Sequence, residues 1–328
     1  MNLEEINRMR RLRRKPQGIS AVLLPFTAGG RIDESAFRRH LERTALSGLG
    51  AAVNMDTGYG DLLTPDEKKL VLAWTAEVTN GKTQFMAAAL PAPGENANEA
   101  AYIRECELIS SFKGVPVIFP SAATSSLDDD GLLRFFTRIA KAADRFLAFE
   151  LGSMFSPHGR VFSERVVRGI MEIPQCVGLK HSSLDRKMEI SRLRLRDRVM
   201  PGFGIYSGND LAMDMIEYGS DYLLGLSTFA PEAFAARDKA WEDGDPLYFD
   251  LRDAIQHLGW VAFRDPVPAY KHSAAIFLKL TGGLPSDSVH PRAATRDLWD
   301  REALKDAARR LESLCPAIRK NEPASQSR

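Results

Sequence analysis

Cysteine is scarce in this chain: three occur in 328 residues, at positions 106, 176 and 315, with no CxxC among them. That spacing excludes a disulfide framework and is what a reduced, cytoplasmic protein would carry. An excess of charge of one sign is lacking too. Lys and Arg number 44 against 43 Asp and Glu, a formal net charge of +1. Nothing electrostatic therefore draws the chain to a nucleic acid or to an anionic membrane. No apolar run approaches the roughly 18 residues that a membrane span needs. The six histidines, at 40, 158, 181, 257, 272 and 290, form no HExxH and no close pair. A zinc site, and with it a metal-dependent enzyme, lacks its ligands. Neither GxxxxGK[ST] nor GxSxG occurs, which removes the usual cues for a phosphate-binding loop and for a serine hydrolase. The expectation is a protein without metal or organic cofactor.

The opening segment MNLEEINRMRRLRRKPQ has no apolar core of a secretory signal, and Glu4 and Glu5 do not suit a transit peptide. Its cluster of arginines could meet an anion or RNA, but a solvated arm or short surface helix over residues 1–17 is the simpler expectation. The polar stretch 317–328 reads as a flexible tail.

What the chain has in quantity is alternation between short apolar runs and amphipathic stretches. The runs GISAVLLPF, AAVNMD, QFMAAAL, VPVIFPS, FLAFEL, CVGLKH, FGIYSG and DYLLGLS are apolar throughout, as strands are when both faces of a parallel sheet are covered. Helical spacing follows each run, over 34–48, 64–81 and then near 95–111, 127–143, 163–172, 185–197, 209–218 and 231–241. Thr64 is a candidate N-cap, with Pro65 in the first turn and Asp66 and Glu67 favouring the dipole. Eight strand–helix units predict a (β/α)8, or TIM, barrel over 18–241. Further helices near 244–260, 267–281 and 299–313 make a C-terminal helical extension over 242–316. An open doubly wound sheet is the alternative, but LLPFTAGG poorly matches its phosphate-binding turn.

Barrel chemistry sits at the C-terminal ends of the strands. Lys180 ends the otherwise apolar CVGLK, where desolvation would lower its pKa and free the amine to attack a carbonyl. Glu150 closes the fifth strand and could stabilise an iminium, move protons or pair with a cation. Thr57, in MDTGYGD, offers a hydroxyl and turn backbone. His181 should face away from Lys180 and serve packing.

These segments together resemble the dihydrodipicolinate synthase/N-acetylneuraminate lyase family of class I aldolases, from about Gly18 to about Gly282. GISAVLLPFTAGGRID is similar to the family's opening strand and turn, MDTGYGDLLTPDE to its GTTGE loop, and GLKHSS at 178–183 to the motif carrying its Schiff-base lysine. YSGND with YGSDYLLGLS, and the later PVPAYKHSAAIFLKLTGG, continue the likeness in order. The resemblance implies Lys180 as the Schiff-base lysine, Thr57 as a holder of the substrate carboxylate, and Gly208 and Leu224 around the same pocket, to which Ser207 is added as a polar residue at the end of the seventh strand. It implies a small 2-oxo acid as substrate, such as pyruvate or a keto-deoxy sugar acid, cleaved by aldol or dehydration chemistry, and a homotetramer or homodimer.

The departures are equally specific. Asp56 replaces one of the paired threonines, and an anion there must be protonated, turned away or paired with a cation. Tyr59 stands where the family has an acid. The tyrosine that ends the family's fifth strand is missing, its slot falling to Glu150 or, with a one-residue shift, to Phe149. FPSAATSS lacks the subunit-bridging tyrosine, and GSMFSPHGR is about two residues longer than its counterpart. The chain thus reads as a divergent member that is not a true dihydrodipicolinate synthase. A ligand-binding or regulatory protein on an aldolase scaffold is the competing expectation.

Overall fold

The computed structural model describes residues 2–91 and 98–319. Eight parallel strands close on themselves in sequence order: β1 (Gly18–Ala21), β2 (Gly50–Val53), β3 (Met86–Ala89), β4 (Val115–Ile118), β5 (Phe146–Leu151), β6 (Cys176–Ser182), β7 (Gly204–Ser207) and β8 (Asp221–Leu224). β1 pairs with β8, so no sheet edge is left. Helices cover the outside, and two apolar layers result. The lumen holds Ile19, Ala52, Met86, Val117, Leu147, Phe149, Tyr206 and Leu223. A larger layer fills the space between strands and helices. The same layer includes the small residues Ala21, Ala52 and Ala88, of which Ala21 lines the cavity at the C-terminal end.

Local chemistry explains the element ends. Thr64 caps the helix Pro65–Thr79 in a reciprocal box: Glu67 N–H donates to Thr64 Oγ1, and Thr64 N–H donates to Glu67. The helix Glu34–Leu46 stops before Gly48, whose φ of 87° is a left-handed conformation that glycine adopts without strain. The expected helix at 95–111 is seen as Glu99–Ser111; positions 95–97 lie outside the described residues. The expected helix at 209–218 is reduced to a single 3-10 turn, Met215–Tyr218. Asn209 and Asp210 spend their side chains on the N–H groups of Leu211 and Leu226, local bonds that compete with a helix.

The basic arm forms a short exposed helix, Leu3–Asn7, and then docks. Arg10 pairs with Glu217, Arg11 with Asp197 and Arg14 with Asp221. Beyond the barrel, helices Leu247–Ala262, Tyr270–Leu280 and Leu298–Leu314 pack together. Ile318 is fully buried, so packing runs past the boundary expected at 316; the tail from 320 onward lies outside the described residues. No described helix is long and apolar enough to cross a membrane.

Candidate active site

The face that Lys180 presents is set by an irregularity in β6. Phe146 pairs with Cys176, but the next residue, Leu147, pairs with Gly178, so Val177 is one extra residue in the ladder. Such a bulge reverses the in–out alternation beyond it. Cys176 faces the helices, and without Val177 the even positions of β6 would follow it outward. With the bulge, Leu179 joins the outer layer and Lys180 turns into the lumen, level with Phe149 on β5 and Tyr206 on β7.

There Lys180 lines a cavity of about 330 Å³ at the C-terminal mouth. Its Nζ lies 4.5 Å from the centre of the Phe149 ring. Burial pulls the ammonium down to about 8, against the opposing pull of the Asp210 and Asp56 carboxylates. Asp210 shares the cavity and moves the other way. Burial pushes its carboxyl up to about 7, although Leu226 N–H donates to it and Lys180 favours its anion. A base whose pKa is lowered and an acid whose pKa is raised thus lie close to neutrality in one pocket. Asp210 was contained in the YSGND motif, yet no pattern of spacing singled it out.

A second group bridges barrel and extension. Tyr270, in the first turn of Tyr270–Leu280, donates to Asp56 Oδ2 at 2.8 Å, and its oxygen lies 2.8 Å from Thr57 Oγ1. Lys271 Nζ donates to the other oxygen of Asp56 at 2.9 Å. Desolvation works to raise the Asp56 pKa, but the Lys271 ammonium and these bonds hold it below the ordinary carboxylate value. Of the three ways for an anion to sit here, the structure takes the paired one. Burial and Asp56 push the Tyr270 phenol well above its usual value, so it keeps its proton. An ionised carboxylate only accepts and a phenol has one proton. Tyr270 therefore gives its proton to Asp56, and Thr57 gives its own to Tyr270. The hydroxyl of Thr57 is left with lone pairs for the cavity and no proton for a substrate carboxylate.

Asp56, Thr57, Gly208 and Lys180 meet around the cavity; four other expected residues do not. Glu150 requires correction as an acid or base. Pairing with His181, it faces outward and is fully buried. It accepts from Arg192 Nε at 2.8 Å, Arg192 Nη2 at 2.9 Å and Phe162 N–H at 2.8 Å, and lies 2.6 Å from His181 Nδ1. Desolvation would raise its pKa, but His181 and Arg192 together hold it low. It is a structural anchor, and Phe149 is the residue that occupies the inward slot. Tyr59 has a left-handed backbone, φ 58°, and its buried ring packs on Phe26 and under Lys271 instead of reaching the cavity. Ser207 faces the helices, where it receives the N–H of Asn209. Leu224 belongs to the outer apolar layer, and the next residue, Gly225, lines the cavity in its stead. Among the described residues, no three His, Cys, Asp or Glu side chains are grouped to hold a metal ion.

Comparison with known proteins agrees with this fold. A 4-hydroxy-tetrahydrodipicolinate synthase of Kosmotoga olearia is 27% identical over 237 residues, 69% of this chain and 75% of that protein. The Acidiphilium cryptum enzyme of the same name is 28% identical over 267 residues, 78% of this chain and 86% of its own. In structure, a prophage protein of the dihydrodipicolinic acid synthase family from E. coli K12, in complex with pyruvate, superposes with a TM-score of 0.80. It is 18% identical, covering 92% of this chain and 99% of that one. A Ruminococcus gnavus sialic acid aldolase gives a TM-score of 0.78 at 16% identity, over 92% and 98% of the two chains. Residues 15–261, well over half of the sequence, match one family as a continuous block, and the chain belongs to the dihydrodipicolinate synthetase family.

Proposed function

We propose that this protein is a lyase in which Lys180 forms a Schiff base with a small 2-oxo acid, pyruvate being the simplest. The carrying observation is Lys180 itself, turned into the mouth of the barrel by a bulge and drawn down to about 8 by burial. The pyruvate-bound E. coli neighbour and the R. gnavus aldolase, which is also known as a catalytic lysine mutant, support the reading.

The free amine adds to the ketone carbon, and the carbinolamine loses its hydroxyl as water to give an iminium. Asp210, still largely protonated below about pH 7, is suited to supply the proton that leaves with that water. The iminium then draws in the electron pair of a bond to the adjacent carbon. The proton released on this path passes to Thr57 Oγ1, through Tyr270, to Asp56, the direction in which those hydrogen bonds already point. Backbone N–H groups at the start of the turn Asp56–Gly58 are left to hold the substrate carboxylate.

Borohydride added with pyruvate tests the reading. The expected result is a reduced adduct on Lys180, absent in Lys180→Arg. The step needs the amine free and the Asp210 carboxyl protonated, so trapping should follow a bell with its maximum between about pH 7 and about pH 8. No adduct with pyruvate or a wider panel of 2-oxo acids, from folded protein, would favour a ligand-binding role instead.

A further inference from the structure

We infer that the second half of the substrate, the carbonyl compound joined to or released from the 2-oxo acid, is an uncharged apolar or aromatic aldehyde. This rests on the Schiff-base reading above.

Charge argues first. Among the described residues that line the cavity, Lys180 is the only lysine or arginine. Once it is an iminium, its charge faces the carboxylate of the 2-oxo acid it carries. The other formally charged lining groups are Asp56, Asp61 and Asp210, with His158 as the one further nitrogen base. Lys271 is already paired with Asp56. Arg160, on the loop over the mouth, turns away to Asp129 and the carbonyl of Leu127. A second carboxylate or a phosphate would meet the carboxylates of Asp56 and Asp61 and, among the described residues, no free cation, an arrangement that disfavours it.

The walls argue in the same direction. Phe119 and Phe149 meet edge to face at 4.9 Å, beside Leu151, and Phe263 stacks on Tyr270 at 4.4 Å. The loop that is longer than its counterpart in the family adds Met154 and Phe155 to the rim, and Met154 is 61% exposed there. These two side chains extend the apolar wall of the cavity out to its lip. Part of the polar lining is already engaged, although Asn54 Oδ1 has no partner among the described residues. Asn54 donates to Lys68 O, Ser121 Oγ accepts from Ala123 N–H, and Ser156 Oγ accepts from His158 N–H. The aromatic and aliphatic walls, rather than the polar groups, therefore carry the preference over a polyol chain.

In the synthetic direction the atoms balance without an oxidant. The enamine carbon of the lysine-bound pyruvate forms a bond to the aldehyde carbon. The aldehyde oxygen takes a proton through Thr57, and water hydrolyses the iminium to release the product and the Lys180 amine.

The test presents the wild-type protein and pyruvate with benzaldehyde, glyceraldehyde or succinic semialdehyde, following pyruvate consumption by NMR. Benzaldehyde should exceed both others in kcat/KM by at least about tenfold, the scale on which an apolar pocket discriminates. A smaller preference, a preference for glyceraldehyde or succinic semialdehyde, or no condensation at all would overturn the inference, provided that pyruvate is still trapped on Lys180. Failure of trapping itself would instead remove the Schiff-base reading on which the inference stands.

Discussion

Phe149 and Glu150 are adjacent in sequence and do opposite work. Phe149 meets the ammonium of Lys180 inside the barrel, whereas Glu150 holds Arg192, His181 and the backbone of Phe162 outside it. Removing the carboxylate would leave Arg192 buried, with only the Phe162 carbonyl to accept from it. Breaking such a buried pair from one side costs about 3–5 kcal/mol. Glu150→Ala should therefore lose stability of that order in urea unfolding, while pyruvate trapping per folded molecule stays near wild type. A glutamate that acted on the substrate would show the reverse: slower trapping at little cost in stability.

At the scale of elements, β6 and β7 hold the lysine between them. Gly208, just after β7, donates its N–H to His181 O at 2.7 Å, and this brings the two backbones so close that no side chain fits. A Cβ there would collide with Ser182 Oγ and lie 2.9 Å from Lys180 Cε. Gly208→Ala should cost about 1–3 kcal/mol by overpacking and slow trapping as the lysine is displaced. Thermal unfolding and borohydride trapping read the two effects separately. The elements themselves were legible in the sequence, because uniformly apolar runs and capped amphipathic helices follow from local composition. Lys180 was legible as a lone cation closing such a run. Its facing was not, since a bulge at Val177 leaves no mark in a sequence, and one extra residue exchanges the faces. The same blindness to facing misassigned Glu150, Ser207 and Leu224. Each ends or nearly ends a strand, and each turns to the helices. Tyr270 was hidden for another reason: it meets Thr57 from 213 positions away, and no periodicity reports a contact of that range.

The whole molecule draws its proposed reaction site from two regions. The barrel supplies Lys180, Asp210, Asp56 and Thr57, but the residues that set the charge of Asp56 lie in the helical extension, beyond the 15–261 stretch matched to the family. Lys271 is the dominant influence among them. It is buried, it pairs with Asp56, and Tyr59 and Tyr270 flank it at 5.5 and 5.6 Å. With the ammonium present, Asp56 stays ionised below the usual carboxylate range and can accept a proton in mildly acid solution. In Lys271→Met the largest influence that lowers its pKa is gone, while the Tyr270 hydrogen bond and Lys180 remain, so the Asp56 pKa moves up toward the ordinary carboxylate value. The base form would then be lost at a higher pH. The acid limb of proton exchange at the methyl group of lysine-bound pyruvate, followed in D2O by NMR, should move up by about 1 pH unit, the low end for a partly exposed pair. Thr57 and Tyr270 keep their places in this variant, so a shifted limb with an intact plateau identifies Asp56 as the terminus of the proton path. An unshifted limb would mean that the proton leaves the cavity by another residue, with Asp210 the next to examine.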